Sequence, residues 1–304
     1  MTRRWLLLLG LLVVCGDASA LKFRAVEDSQ GRSVLIAYDC AKVESRDACR
    51  DYENKFSGPS SKTGYAGDAA VLESKLKAQG YYQVWLYSGG GNLAEGVKVG
   101  EVLRRYQQYV VVPDGASCVS ACTVAFLGGV LREVEPKGSY EVHAYSGELD
   151  ETKESLARYA SQEGDTSLVK FVKENSDDGR VWVARLFLYV QRMIGGQPSE
   201  DATVQVLSGA PDYARSYLAS PNFRSDLARM RAEGATTTQE ILMRIERESF
   251  ETRLAYLKSR ADQLGARAVP AVRILEIMFS SRIAGTAQLD QVTLKENGYT
   301  NVRK

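Results

Sequence analysis

The stretch QVWLYSGGGNLAEG, residues 83–96, decides how the fold is read. Gln83 to Tyr87 is a short apolar strand, and Ser88-Gly89-Gly90-Gly91-Asn92 follows it at once. A helix comes next, with Leu93, Gly96, Val97, Gly100 and Leu103 at three- and four-residue spacings. Upstream, Asp68 to Gln79 carries Ala70, Leu72, Leu76 and Ala78 in a rough helical pattern that Gly80 ends. Downstream, Tyr109 to Val112 is a buried strand stopped by Pro113. Ala121 to Leu127 is a helix entered from a tight turn and closed by Gly128-Gly129. Two strands, about Leu131 to Val134 and Tyr140 to Ala144, flank the Pro136-Lys137-Gly138 turn. Residues 68–145 therefore read helix, strand, helix, strand, helix, strand, strand. Such alternation predicts an α/β layer structure with a largely parallel sheet.

The flanks differ from this core. Lys22 to Ala37 alternates around Ser29-Gln30-Gly31 and predicts a hairpin. Asp51 to Gly67, rich in Gly, Ser, Pro, Lys and Asn, predicts a loop. Glu148 to about Ile283 is mainly helical. Within it, Arg180 to Met193 is strongly apolar, and Thr237 to Gln263 is charged with Leu242, Ile245, Phe250, Leu254 and Leu257 on one side. Gln288 to Lys304 reads as a strand, a short helix and a turn at Asn297-Gly298. The chain has no internal repeat and no low-complexity tract.

Composition narrows the function classes. With 304 residues, 44% of them hydrophobic and 25% charged, the chain has the make-up of an ordinary globular protein. Lys and Arg (39) nearly balance Asp and Glu (38), so no global field favours a nucleic-acid partner. One histidine, five cysteines and no CxxC pair argue against a metal site, and no cofactor is expected.

Residues 1–20 read as a secretory signal peptide. Arg3 and Arg4 form the positive region, Trp5 to Val14 the apolar run, and Ala18-Ser19-Ala20 the small-x-small cleavage pattern. That apolar run is too short for a stable anchor, since a spanning helix needs about 20 residues. A lipoprotein reading through Cys15 is weakened by the bulky Val14 before it. Cleavage would start the mature chain near Leu21. No later segment is apolar enough to cross a membrane, so the protein is expected to be exported and soluble, with a bacterial periplasm the best match. In an oxidising compartment Cys40, Cys49, Cys118 and Cys122 form an even set that permits disulfides. Three connectivities are open. Sequence-local pairing is the simplest, although a bridge between helical positions i and i+4 lies near the geometric limit. Two buried helix-packing cysteines are the alternative for Cys118 and Cys122.

Three features carry chemistry. The glycines after Tyr87 let backbone N–H groups approach a ligand closely, yet they match neither the Walker pattern nor GxGxxG. Ser120, within Cys118-Val119-Ser120-Ala121-Cys122, stands where the chain turns into a helix. It suits a helix cap, and equally a nucleophile facing the free N–H groups of the first helical turn. His143 is the only histidine in the chain, and histidine, whose free side chain titrates near ~6.5, is the natural base for a serine hydroxyl.

Taken together, Trp85 to Gly147 resembles the core of the Clp protease proteolytic subunit and its relatives in the Clp/crotonase superfamily. The similarity is greatest to exported bacterial Clp-protease-like proteins. Ser88-Gly89-Gly90-Gly91 occupies the family's Ser-Pro-Gly-Gly turn, with Gly89 replacing the proline, and Gly96 matches its later glycine. Ser120 matches the family nucleophile, His143 its histidine, and Gly90 and Ala121 the residues whose N–H groups form the oxyanion hole. Val292 to Asn301, through Thr293, Glu296 and Gly298, resembles the family's closing segment.

The resemblance implies a layered β-sheet core with helices over residues 21–147, a large mainly helical insertion over 148–283 and a closing core segment over 284–304. It also implies a serine hydrolase acting on peptides or unfolded protein segments, and assembly into a homo-oligomer. Two departures stand out. The family's aspartate falls near Thr286, which is not acidic. Asp290 is the nearest carboxylate, with Asp201 and Asp212 as alternatives from the insertion. The helical insertion is also far longer than in the family. A non-catalytic binding or assembly protein on the same fold is the main alternative. A crotonase-type acyl-CoA enzyme ranks last, because coenzyme A is not expected outside the cytoplasm. A Ser–Lys dyad finds no lysine with a matching motif.

Overall fold

The computed structural model describes residues 21–39, 56–60, 66–145, 166–280 and 285–302. The proposed signal peptide, Cys40 and Cys49 lie outside these residues. In chain order the core comprises β1 (Lys22–Glu27), β2 (Ser33–Tyr38), α1 (Asp68–Ala78), β3 (Gln83–Tyr87), α2 (Leu93–Arg105) and β4 (Tyr109–Val112). Next come β5 (Ser117–Val119), α3 (Ala121–Phe126), β6 (Leu131–Val134) and β7 (Ser139–His143). A helical region follows: α4 (Thr166–Met193), α5 (Glu200–Ser208), α6 (Tyr213–Leu218), α7 (Pro221–Glu233), α8 (Ala235–Ser259), a 3₁₀ turn at Ala261–Leu264 and α9 (Ala268–Met278). The chain closes with β8 (Thr286–Gln288) and α10 (Gln291–Glu296).

Two sheets result. The larger has the order β1-β2-β3-β4-β6, with β1 antiparallel to β2 and the remaining pairs parallel. Its central strands are buried Val, Leu, Ile and Trp, the near-continuous apolar runs that a sheet covered on both faces requires. The smaller sheet has the order β5-β7-β8, parallel then antiparallel. Ser88 joins the two. Its N–H donates to Ser117 O at 2.9 Å, and its carbonyl accepts from Val119 N at 2.9 Å. The protein is thus a mixed α/β structure with many helices, as the alternation predicts.

Three differences from the sequence reading have physical reasons. Residues 117–119 form a strand, β5, to which the sequence reading assigned no element, because three residues are too few to show alternation. The helix expected from Arg180 begins at Thr166, because polar residues and Gly179 interrupt its apolar period. The charged helix ends at Ser259 and gives way to a 3₁₀ turn before Gln263.

Close approaches of backbone set the core. Helices α2 and α3 meet at Gly96 and Gly100. A methyl group on Gly96 would lie 2.6 Å from Ala121 O. At Gly100 the space for a side chain is filled by the Tyr189 hydroxyl, which donates to Val124 O at 2.7 Å. Through Tyr189, α4 packs on the α/β core, and one hydrophobic cluster runs from the large sheet into α4, α8 and α9. A second cluster, including Leu168, Tyr217, Met230 and Leu242, serves the outer helices.

Arg132 on β6 ties the chain end to this core. Its buried guanidinium donates to the carbonyls of Tyr299 (2.7 Å), Gly298 (3.0 Å), Gly129 (2.8 Å), Leu127 (3.4 Å) and Met193 (3.4 Å). Arg104 also donates to Leu127 O and Met193 O. Cations at these helix C-terminal carbonyls oppose the negative end of each helix dipole. Desolvation lowers the Arg132 pKa to about 10, which leaves the side chain charged at neutral pH.

Candidate active site

Ser120 sits between β5 and α3 with φ +56° and ψ −122°, one of three non-glycine residues with positive φ among those described. A β-carbon in this region costs roughly 1–3 kcal/mol, and such geometry persists only where the surroundings enforce it. They do so here. The Ser120 N–H donates to Glu141 O on β7 at 3.1 Å. The Ser120 carbonyl accepts from Thr123 N at 2.9 Å and from Thr123 Oγ1 at 2.5 Å. A disulfide between Cys118 and Cys122 closes the turn, with 5.2 Å between the two Cα atoms. Cys118 lies on a strand rather than a helix, so the bridge spans an ordinary disulfide distance and not the longer reach of a helical i, i+4 pair. The Ser120 side chain makes no cap bond to α3, which removes the capping role weighed from sequence.

The glycine turn lies against this elbow. Gly90 has φ +95°, and a methyl group there would lie 2.6 Å from both Ser120 Cβ and Val119 O, and 3.1 Å from Ala121 N. Gly90 is therefore brought beside Ser120 and Ala121, the residues grouped with it by sequence. Its N–H donates to Ser88 Oγ at 3.0 Å. The turn is pinned from its other side by Phe56, whose N–H donates to Gly90 O at 2.8 Å and whose carbonyl accepts from Asn92 N at 3.0 Å. Asn92 caps α2, accepting from Glu95 N at 2.8 Å.

His143 ends β7. Two residues earlier on the same strand is Glu141, whose carbonyl holds Ser120, and about 7 Å of strand separates the two Cα atoms at the usual rise per residue. His143 Nδ1 lies 2.7 Å from the Ala144 carbonyl oxygen. A carbonyl only accepts, so Nδ1 donates in that bond, which in the neutral imidazole leaves Nε2 as the acceptor. The residue paired with His143 on β8 is Thr286, so the position expected for an orienting acid faces the histidine with a hydroxyl-bearing residue. Asp290 instead caps α10, accepting from Thr293 N at 2.7 Å, which lowers its pKa. Asp212 caps α6 through Arg215 N, and Asp201 is exposed in the first turn of α5. Among the described residues no carboxylate hydrogen-bonds His143.

One residue of the site was not singled out by sequence. Asp39 follows β2 and is fully buried. Its Oδ2 accepts from Ser88 Oγ at 2.5 Å and from Gly89 N at 2.9 Å, while Oδ1 is buried with no hydrogen-bond partner. Burial pushes its pKa up to about 7, against the opposing pull of the Ser88 and Gly89 bonds. An Asp directly after an apolar run, at the C-terminal end of a parallel strand, is the signal that could have found it, because ligand sites of parallel sheets gather there.

Among the described residues no group of His, Cys, Asp and Glu is arranged to hold a metal ion, and no helix is long and apolar enough to cross a membrane. The chain matches no family model, no curated protein and no solved structure.

Proposed function

We propose that the protein is an exported serine hydrolase of Clp/crotonase type, most simply a peptidase acting on peptides or unfolded segments. The observation that carries this reading is the strained Ser120 elbow packed directly on the Gly90 turn. In the mechanism, Nε2 of His143 takes the Ser120 proton as Oγ attacks the substrate carbonyl carbon. The tetrahedral oxyanion is held by the Ala121 and Gly90 N–H groups. His143 then returns the proton to the leaving amine, and water resolves the acyl-enzyme by the same steps. The Ala144 carbonyl does part of an acid's work, since it fixes the histidine tautomer. It supplies no charge to stabilise the imidazolium, so turnover should fall well short of a full triad. For Gly90 to serve, its N–H must leave Ser88 Oγ when substrate enters.

Those same two features favour a second reading, a non-catalytic binding or assembly protein on the same fold. Labelling of the mature protein with a fluorophosphonate probe separates the two. Stoichiometric labelling that disappears in Ser120→Ala and in His143→Ala supports the hydrolase. A folded wild type that does not label, or labelling that survives Ser120→Ala, rejects it.

A further inference from the structure

The N–H of Leu21, the residue directly after Ala18-Ser19-Ala20, donates to Asp68 Oδ1 at 3.0 Å in a buried bond. Leu21 is 6% exposed and its side chain belongs to the main hydrophobic cluster. Asp68 is fully buried at the start of α1, and its other oxygen accepts from Ser57 N at 2.6 Å. Asp68 N returns a bond to Ser57 O at 3.1 Å. Ser57 follows Phe56, which brackets the glycine turn by bonding Gly90 O and Asn92 N. A path of hydrogen bonds, linked covalently from Ser57 to Phe56, thus runs from the Leu21 nitrogen through Asp68 to the turn beside Ser120.

We propose that Asp68 is the receptor for the α-amino group released when the chain is cut after Ala20, and that this buried ion pair fixes the 56–57 segment and the Gly90 turn in the mature protein. The inference rests on the export and processing proposed above. In the uncut chain the Leu21 nitrogen is an amide that brings a single N–H and no charge to Asp68. Hydrolysis of the Ala20–Leu21 bond adds water across it, leaving a carboxylate on the released leader and an amine on Leu21. At neutral pH that amine is largely protonated, its ordinary pKa being about 7.7–8.0. An ammonium placed where the N–H already meets a buried carboxylate exchanges a neutral-donor bond for a charge-assisted one. Asp68 is then a positioning residue, acting on the site through Ser57 and Phe56.

The test compares two mature chains, one starting at Leu21 with a free amine and one carrying Ala20 ahead of it, each with Asp68 and with Asp68→Asn. Asn keeps an oxygen for the Ser57 N–H. Unfolding constants come from urea titration at pH 7, and hydrogen exchange follows the Phe56 and Asn92 amides. If the amine pairs with Asp68, Asp68→Asn raises the unfolding constant of the Leu21 chain roughly 10²–10⁴-fold, the effect of breaking a buried pair, and that of the Ala20 chain at least tenfold less. The Phe56 and Asn92 amides should also exchange more slowly in the Leu21 chain. Equal effects of Asp68→Asn in the two backgrounds overturn the proposal. Should Asp68→Asn fail to fold in both, the two Asp68 chains decide: the Leu21 chain must resist urea better, and equal or lower resistance rejects the pair. Fluorophosphonate labelling of both chains keeps the readings apart. Coupling without labelling rejects the hydrolase alone, and labelling without coupling rejects the ion pair alone.

Discussion

Replacing Gly90 with alanine tests the contact on which the site is built. The added methyl would sit 2.6 Å from Ser120 Cβ and from Val119 O. Neither is the end of a flexible side chain. Val119 is bonded to Ser88 through its own N–H, and Ser120 to Glu141, so relief requires the glycine turn and the serine elbow to separate. The left-handed backbone adds about 1–2 kcal/mol for any L side chain. Overpacking against fixed neighbours adds about 1–3 kcal/mol, for a total of roughly 2–5 kcal/mol. Gly31 supplies the control, since its φ is +73° and a methyl there meets nothing within 4 Å. Gly31→Ala should therefore lose only the backbone part, about 1–2 kcal/mol. Urea unfolding of both variants gives the difference directly, and Gly90→Ala should also lose fluorophosphonate labelling. A Gly90→Ala protein no less stable than Gly31→Ala would refute the close packing of turn on elbow.

Ser120→Gly should be more stable than Ser120→Ala by roughly 1 kcal/mol, because glycine adopts positive φ without a β-carbon to strain; thermal unfolding of the pair would show the reverse order if the elbow carries no strain. Asp39 predicts a pH dependence. Its folded pKa of about 7 lies above the ordinary value of 3.8, so between those pH values the native state keeps a proton that the unfolded chain has released. Its contribution to stability therefore falls as pH rises from about 4 to 7. Asp39→Asn should flatten that part of the profile, and an unchanged slope in denaturant titrations across this range would show that Asp39 is ionised in the fold.

Most elements of the α/β core were legible because each is long enough to show its period or is bounded by Gly or Pro. β3, β4 and β6 begin and end at the expected residues, and the hairpin forms around the Ser29-Gln30-Gly31 turn, which the Asp28 carboxylate shapes by accepting from Gln30 N and Arg32 N. β5 was hidden because its pairing with β7 is decided by residues over twenty positions away. The grouping of Ser120, Ala121 and Gly90 was readable only through the resemblance of their motifs to a known family. The surroundings of His143 were not, because Thr286 reaches it only through the antiparallel pairing of β8 across the whole helical region. Asp39 escaped for a related reason. An aspartate closing a strand reads as a solvated turn residue until the neighbouring strand, in register from Tyr38 with Tyr87, brings Ser88 and Gly89 onto its carboxylate.

The reach of Arg132 has a consequence for the order of events in biogenesis. Residue 132 is synthesised well before residues 298 and 299, yet its guanidinium is satisfied only when their carbonyls arrive. Tyr299 arrives with them, fully buried, its ring edge-on to Tyr140 and its hydroxyl bonded to Ile274 O at 3.0 Å. Until then β6 would have to bury a charge lacking two of its acceptors, a cost that keeps the half-made core open. The last few residues thus complete the acceptor set of Arg132, so the core closes fully only once residues 298 and 299 are in place. A chain ending at residue 296 should remain open to protease under conditions in which the full chain resists it.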